Sequence, residues 1–186
     1  TMPHIAAGQF KGMRLAVPKG LRPTEGKVRQ AIFNILGEFV QDARVLDAFA
    51  GSGALGLEAL SRGAAFAAFI ESETEAALAI RENLQRIGRE IGRGAWRILH
   101  MDAQRGMREL AKSEPPFDVV LLDPPYRTDE GKKALNALVE CAILAPAGVV
   151  ILEHHQRTEL PAAIGPLRLG TRHRYGDTVL SLYRSA

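Results

Sequence analysis

With 186 residues, 46% of them hydrophobic and 24% charged, the chain has the length and composition of one domain, and a domain of this size buries about 70% of its unfolded surface. Its net charge of +3 is too small to announce a nucleic-acid partner by itself, and Cys141, the only cysteine, excludes an internal disulfide and a multi-cysteine zinc site. No apolar run is long enough for a membrane span and no leader pattern is present, so a cytoplasmic protein is expected, with Thr1 ahead of Met2 set aside as a residue left by tag removal.

From Ile5 to Val17 the pattern is short and punctuated by Gly8 and Gly12, which predicts a small hairpin, followed by a loop over Pro18–Pro23. Thr24 is placed to cap a helix whose apolar face is Val28, Ala31, Ile32, Ile35, Leu36 and Phe39. Residues 1–40 thus read as a basic extension ahead of a domain at 41–186. Within the first thirty residues Lys11, Arg14, Lys19, Arg22, Lys27 and Arg29 face only Glu25, which suits an RNA backbone. Arg127, with Lys132, Lys133, Arg172 and Arg174, is a candidate continuation of that track.

Beyond the extension, strands and helices alternate. Strands are predicted at 44–49, 66–71, 95–100, 117–122 and 148–153, and helices at 54–62, 73–87, 103–112 and 130–142. Runs such as Phe117-Asp118-Val119-Val120-Leu121-Leu122 are apolar enough to be covered on both faces, so an α/β doubly wound, mainly parallel sheet is expected. The tail alternates from Leu167 to Tyr183 around Gly176-Asp177, which predicts a closing antiparallel hairpin. By fold analogy, that ending resembles a seven-stranded, Rossmann-like methyltransferase sheet more than a plain dinucleotide-binding fold.

The richest stretch runs from Val45 to Leu60, where an apolar strand gives way to a glycine-punctuated turn and a helix. Ala50, Gly51, Ser52, Gly53 and Gly56 allow close approach of the backbone to a cofactor. Ligands of such sheets bind beyond the carboxyl ends of the strands. Those ends carry Asp47, Glu71, Asp102 and Asp123. So many acids would repel a pyrophosphate but accept a sulfonium cofactor with a protonated amino group, which favours S-adenosylmethionine. Glu71 is placed for two ribose hydroxyls. Asp102, with Ala103 beside it, is placed for the adenine amino group or, alternatively, as a helix cap, and Asp47 for the amino-acid moiety through water.

Asp123-Pro124-Pro125-Tyr126, at the end of a later strand after the glycine-rich turn, resembles the motif of S-adenosylmethionine-dependent methyltransferases that act on an exocyclic amino nitrogen. An exocyclic amino nitrogen is a poor nucleophile because its lone pair is delocalised into the base. The Asp123 carboxylate and the Pro124 carbonyl can each accept one of its N–H groups, Tyr126 can stack on the base, and Pro125 helps stiffen the turn. Pro115-Pro116 carries no such partner and reads as a plain turn. His154-His155 cannot share one ion from opposite faces of a strand, so no metal is expected. Cys141 reads as a buried filler, Trp96 as a core or rim aromatic, and Arg86, Arg89, Arg93 and Arg97 as a solvated face.

The runs Gly8-Gln9-Phe10-Lys11-Gly12-Met13-Arg14-Leu15, Leu21-Arg22-Pro23-Thr24 and Val28–Leu36, taken with Asp47–Arg62 and Asp123–Tyr126, resemble the RsmD family over essentially the whole chain. The resemblance implies methylation of N2 of the guanine at position 966 of 16S rRNA, with S-adenosylmethionine as donor and the small ribosomal subunit or its assembly intermediates as partner. It also implies that Arg22, Pro23 and Thr24 fold over the cofactor. Tyr126 does not separate guanine N2 from adenine N6 chemistry, so an adenine-N6 methyltransferase acting on DNA or RNA stays open, as does a non-catalytic, cofactor-binding assembly factor.

Overall fold

The computed structural model describes residues 2–21, 24–92 and 94–185. Arg22 and Pro23, expected at the cofactor, and Arg93 lie outside the described residues. The alternation read from the sequence folds as β1 (Arg44–Asp47), α2 (Ala54–Ser61), β2 (Phe66–Glu71), α3 (Thr74–Ile91), β3 (Trp96–His100), α4 (Ala103–Ser113), β4 (Phe117–Leu122), α5 (Glu130–Cys141) and β5 (Leu144–His155), all preceded by α1 (Gly26–Leu36). The tail forms β6 (Ala163–Ile164), β7 (Leu167–Tyr175) and β8 (Thr178–Ser185).

These strands make one sheet in the order β3-β2-β1-β4-β5-β8-β7-β6. The first five are parallel; β8 joins β5 antiparallel and carries β7 and β6 outward in the same sense. The expected hairpin is therefore inserted so that its second strand, β8, pairs with β5. The two-residue β6 adds an eighth strand that no alternation in so short a run could announce.

Alternate residues of the sheet feed two layers. Leu46, Ala68, Val120, Leu122, Val150 and Tyr183 pack with α4 and α5. On the other face Val45, Val119, Ile151 and Leu182 pack with Val28, Ile32, Phe33 and Leu36 of α1. Residues 26–36 are thus part of the sheet's cover, continuous with the core that the 41–186 boundary was expected to enclose. Gly37, at φ +52°, ends α1 and turns the chain into a 3-10 turn over Gly37–Val40. Phe39 consequently leaves the apolar face predicted for it and is 44% exposed.

The N-terminal segment forms one antiparallel bridge, His4 to Arg14, flanked by bonds from the Ile5 N–H to the Met13 carbonyl and from the Leu15 N–H to the Pro3 carbonyl. Its side chains Ile5, Phe10 and Leu15 complete a third cluster with α2 and α3. Glu58 in α2 holds the segment's backbone, accepting from the Ala6 N–H at 2.8 Å and the Ala7 N–H at 3.2 Å. Ser61 accepts from the Phe10 N–H at 2.9 Å and donates to the Ala7 carbonyl at 2.6 Å. Arg29, expected at the RNA surface, is buried instead: it donates to the His4 carbonyl at 2.7 Å and lies 3.7 Å from Glu58. Burial drives its pKa down, against the pull of Glu58. A charge committed to an internal clamp is not available to phosphate.

Candidate active site

Three parallel strands end side by side, and each end delivers a carboxylate. At the end of β1, Asp47 is buried and its Oδ2 accepts from the Gly56 N–H at 3.0 Å, satisfying a donor in the first turns of α2. The turn between them needs Gly51 at φ +56° and Gly53 at φ +83°. Gly56 has a different reason to be glycine: a Cβ there would collide with the Phe69 ring. The turn is tied sideways by the Ala50 N–H donating to the Ile70 carbonyl at 3.0 Å, and by Asn83, which donates to the Ser52 carbonyl at 3.2 Å. Asn83 also pairs with both backbone groups of Ala16, so one buried amide joins the glycine turn to the N-terminal segment.

Glu71 ends β2. Backbone N–H groups of Glu73, Gly51 and Ser72 favour its ionised form, yet burial, reinforced by Glu73, raises its pKa. Its Oε2 is buried and meets no donor. An acceptor oxygen kept from water without a partner fits a ligand hydroxyl. Asp102 behaves as its alternative reading holds: its Oδ1 accepts from the Arg105 N–H at 2.9 Å and caps α4, with Ala103 buried as the first helical residue.

Asp123 follows β4. The helix cap predicted for Thr24 is absent, because its hydroxyl donates to Asp123 Oδ2 at 2.7 Å across the site, and Glu25 takes the N-cap position of α1 without a side-chain bond. On β5, Leu152 pairs with Leu122, so the next residues, Glu153 and Asp123, follow side by side on neighbouring strands and their carboxyls influence each other's ionisation. Burial raises both, and Glu153 is pushed up to about 9 by burial first and then by Asp123. Glu153 was not anticipated. The available signal was an acid closing the apolar run Val149-Val150-Ile151-Leu152, the same pattern that marks Asp47, Glu71 and Asp123.

Tyr126 is 51% exposed, with its hydroxyl bonded to Thr178 Oγ1 and its ring edge-on to His155 at 6.1 Å. The Pro125 carbonyl accepts from the Thr128 hydroxyl at 2.9 Å, and Pro124 packs toward Gly131 of α5. Together they border a cleft whose walls include Pro124, Tyr126, Arg127, Lys132, Glu153 and His155. Among the described residues no lysine or arginine forms an ion pair with Asp47, Glu71, Asp123 or Glu153. Such a group, with Asp47 and Glu153 buried and Glu71 and Asp123 half-buried, is complementary to a cation.

The remaining expectations sort by exposure. Lys11, Arg14, Lys19 and Arg127 are exposed, and Arg86 donates to the Arg14 carbonyl at 2.6 Å. Arg97 pairs with Glu114 at 3.3 Å, and Lys133 with Asp129 at 3.4 Å. Cys141 and Trp96 are half-buried at the rim of the core. His154 faces Ser181 at 2.7 Å while His155 faces Tyr126, and no group of three or more His, Cys, Asp or Glu suited to a metal ion occurs among the described residues.

A five-stranded parallel sheet extended by an antiparallel β8 next to β5, with its glycine turn and strand-end acids, defines an S-adenosylmethionine-dependent methyltransferase fold. The Escherichia coli protein yhhF superposes with a TM-score of 0.86 at 34% identity, covering 100% of this chain and 98% of that one. The family described as Conserved hypothetical protein 95 matches residues 3–184, and the chain belongs to it, the RsmD family. Among its relatives, Ribosomal RNA small subunit methyltransferase D of Escherichia coli is 36% identical over 183 residues, 97% of this chain and 89% of that protein. The 16S rRNA N2 G1207 methyltransferase RsmC of T. thermophilus, solved with AdoMet and guanosine, shares the fold at a TM-score of 0.70 and 22% identity, covering 90% of this chain and 44% of that one.

Proposed function

We propose that this chain transfers a methyl group from S-adenosylmethionine to the exocyclic N2 of the guanine at position 966 of 16S rRNA, in the cytoplasm, on the small ribosomal subunit or its assembly intermediates. The observation that carries the chemistry is the Asp123 carboxylate, held by the Thr24 hydroxyl and followed directly by Pro124, which with Tyr126 and Glu153 walls a cleft. The substrate is supported by the relative named as a ribosomal RNA small subunit methyltransferase.

The residues divide the work. Glu71, with its orphaned Oε2, suits the ribose hydroxyls; the Ala50–Gly53 turn gives close backbone approach; Asp47 suits the cationic amino-acid end, and Asp102, whose Oδ1 caps α4, keeps Oδ2 for the adenine beside Ala103. Thr24 reaches the same site, in keeping with a segment that covers the cofactor. When bound, S-adenosylmethionine supplies a methyl group on sulfonium sulfur. Asp123 and the Pro124 carbonyl accept the two amino N–H groups, turning the nitrogen lone pair out of the ring, while Tyr126 stacks on the base. The sulfonium would supply the methyl group and keep the S–C electron pair, and Asp123 or water would take the proton that the methylated nitrogen gives up. Alignment of this kind supplies up to about 7–11 kcal/mol.

Asp123→Ala is expected to lower turnover by about 100-fold or more while leaving RNA and cofactor binding within a few-fold. Turnover equal to wild type would contradict the assigned role.

A further inference from the structure

We propose that Glu153 is a positioning residue of the methyl-transfer site: it stays protonated at neutral pH and donates that proton to Asp123, holding Asp123 ionised and oriented toward the amino group. The inference rests on the methyltransferase reading above and adds a residue to it.

The parallel register of β4 and β5 brings the two acids to neighbouring positions, because Leu122 and Leu152 are paired and each is followed directly by an acid. Glu153 is 8% exposed, and its Oε2 is buried without an N–H or hydroxyl donor. Two carboxylates in contact cannot both be ionised in such a place; one proton between them removes the repulsion and gives the orphaned oxygen a bond.

The surroundings decide where that proton resides. Asp123 already accepts the Thr24 hydroxyl, which favours its charged form. Glu153 has no comparable donor, and Glu25 ahead of α1 adds a second negative neighbour. On its other side β8 places Leu180 opposite, which carries no charge. Asp47, beyond Asp123, is acidic as well. Arg127, Lys132 and His155 share the cleft wall, and the first two are exposed. His154, next in the chain, is turned toward Ser181.

A neutral carboxyl, through its O–H, and a carboxamide, through its N–H, can each donate to Asp123, so the two substitutions at this position separate the roles. In Glu153→Gln, kcat should stay within about fivefold of wild type at neutral pH, whereas Glu153→Leu should lose about 10- to 100-fold in kcat, the effect of one charge-assisted hydrogen bond, with cofactor affinity retained in both. Wild-type kcat should fall above pH about 9, as Glu153 ionises, and Glu153→Gln should lack that alkaline limb. Methyl incorporation is read in total nucleosides, so the base methylated does not affect the result. A protein-only reading accompanies it: infrared spectra at neutral pH should show a protonated-carboxyl band that Glu153→Gln lacks.

Absence of that band, a folded Glu153→Gln as inactive as Asp123→Ala, or an alkaline limb that survives in Glu153→Gln would each overturn the inference. If the band is present but wild type methylates no RNA, the proposed function fails while the shared proton stands.

Discussion

Asp47 closes the turn before α2 by accepting from the Gly56 N–H, and the proposed function asks the same side chain to meet a cationic ligand. Burial, with Asp123 and Glu71 adding and the Gly56 N–H opposing, pushes its pKa from 3.8 up to about 7. Between those values the folded chain holds a proton that the unfolded chain has released, so stability falls as pH rises through that window. A cation beside Asp47 favours the ionised form. S-adenosylmethionine affinity is therefore expected to increase with pH below 7, by up to about tenfold per unit, with proton release on binding; Glu71, raised as well, acts in the same direction. Calorimetry in buffers of different ionisation enthalpy checks this, and Asp47→Asn should flatten the slope. Affinity independent of pH would contradict the assignment. Asp47, Glu71 and Asp123 were legible because each closes an apolar strand. Arg29 was not: its partner Glu58 sits on another helix, and nothing local distinguishes a buried arginine from its exposed neighbours.

Among the elements, the glycine turn and the helix it opens show how packing and ligand access share a few residues. Gly51 and Gly53 serve backbone conformation, whereas Gly56 serves contact between α2 and the fully buried Phe69 of β2. Gly56→Ala is expected to displace that ring and cost about 1–3 kcal/mol, measured by denaturant unfolding. Stability equal to or above wild type would mean that the ring yields freely. Apolar runs made the central strands legible to within a few residues. The longer β5 was less so, because Ala145-Pro146-Ala147 interrupts its pattern and Ala147 adopts φ +60°. Thr24 read as a cap because capping is judged from neighbours in sequence, while its actual partner, Asp123, is brought near only by the fold.

Across the molecule, charge is segregated: acids gather inside the strand ends, and Lys11, Arg14, Lys19 and Arg127 stand exposed. If the exposed set lies along RNA, removing any one of these cations should lower affinity and reduce the slope of log K against log salt by a little under about 1, with kcat at saturation retained. Binding of the Lys11→Ala, Arg14→Ala and Lys19→Ala triple variant across a salt series tests this, and an unchanged slope would place the RNA elsewhere. No helix among the described residues is long and apolar enough to cross a membrane. The most direct test of the central claim is transfer of labelled methyl from S-adenosylmethionine to small subunits from cells lacking this gene, followed by nucleoside analysis and mapping. N2-methylguanosine at position 966 of 16S rRNA is the expected product; N6-methyladenosine, or no labelled nucleoside, would contradict the claim.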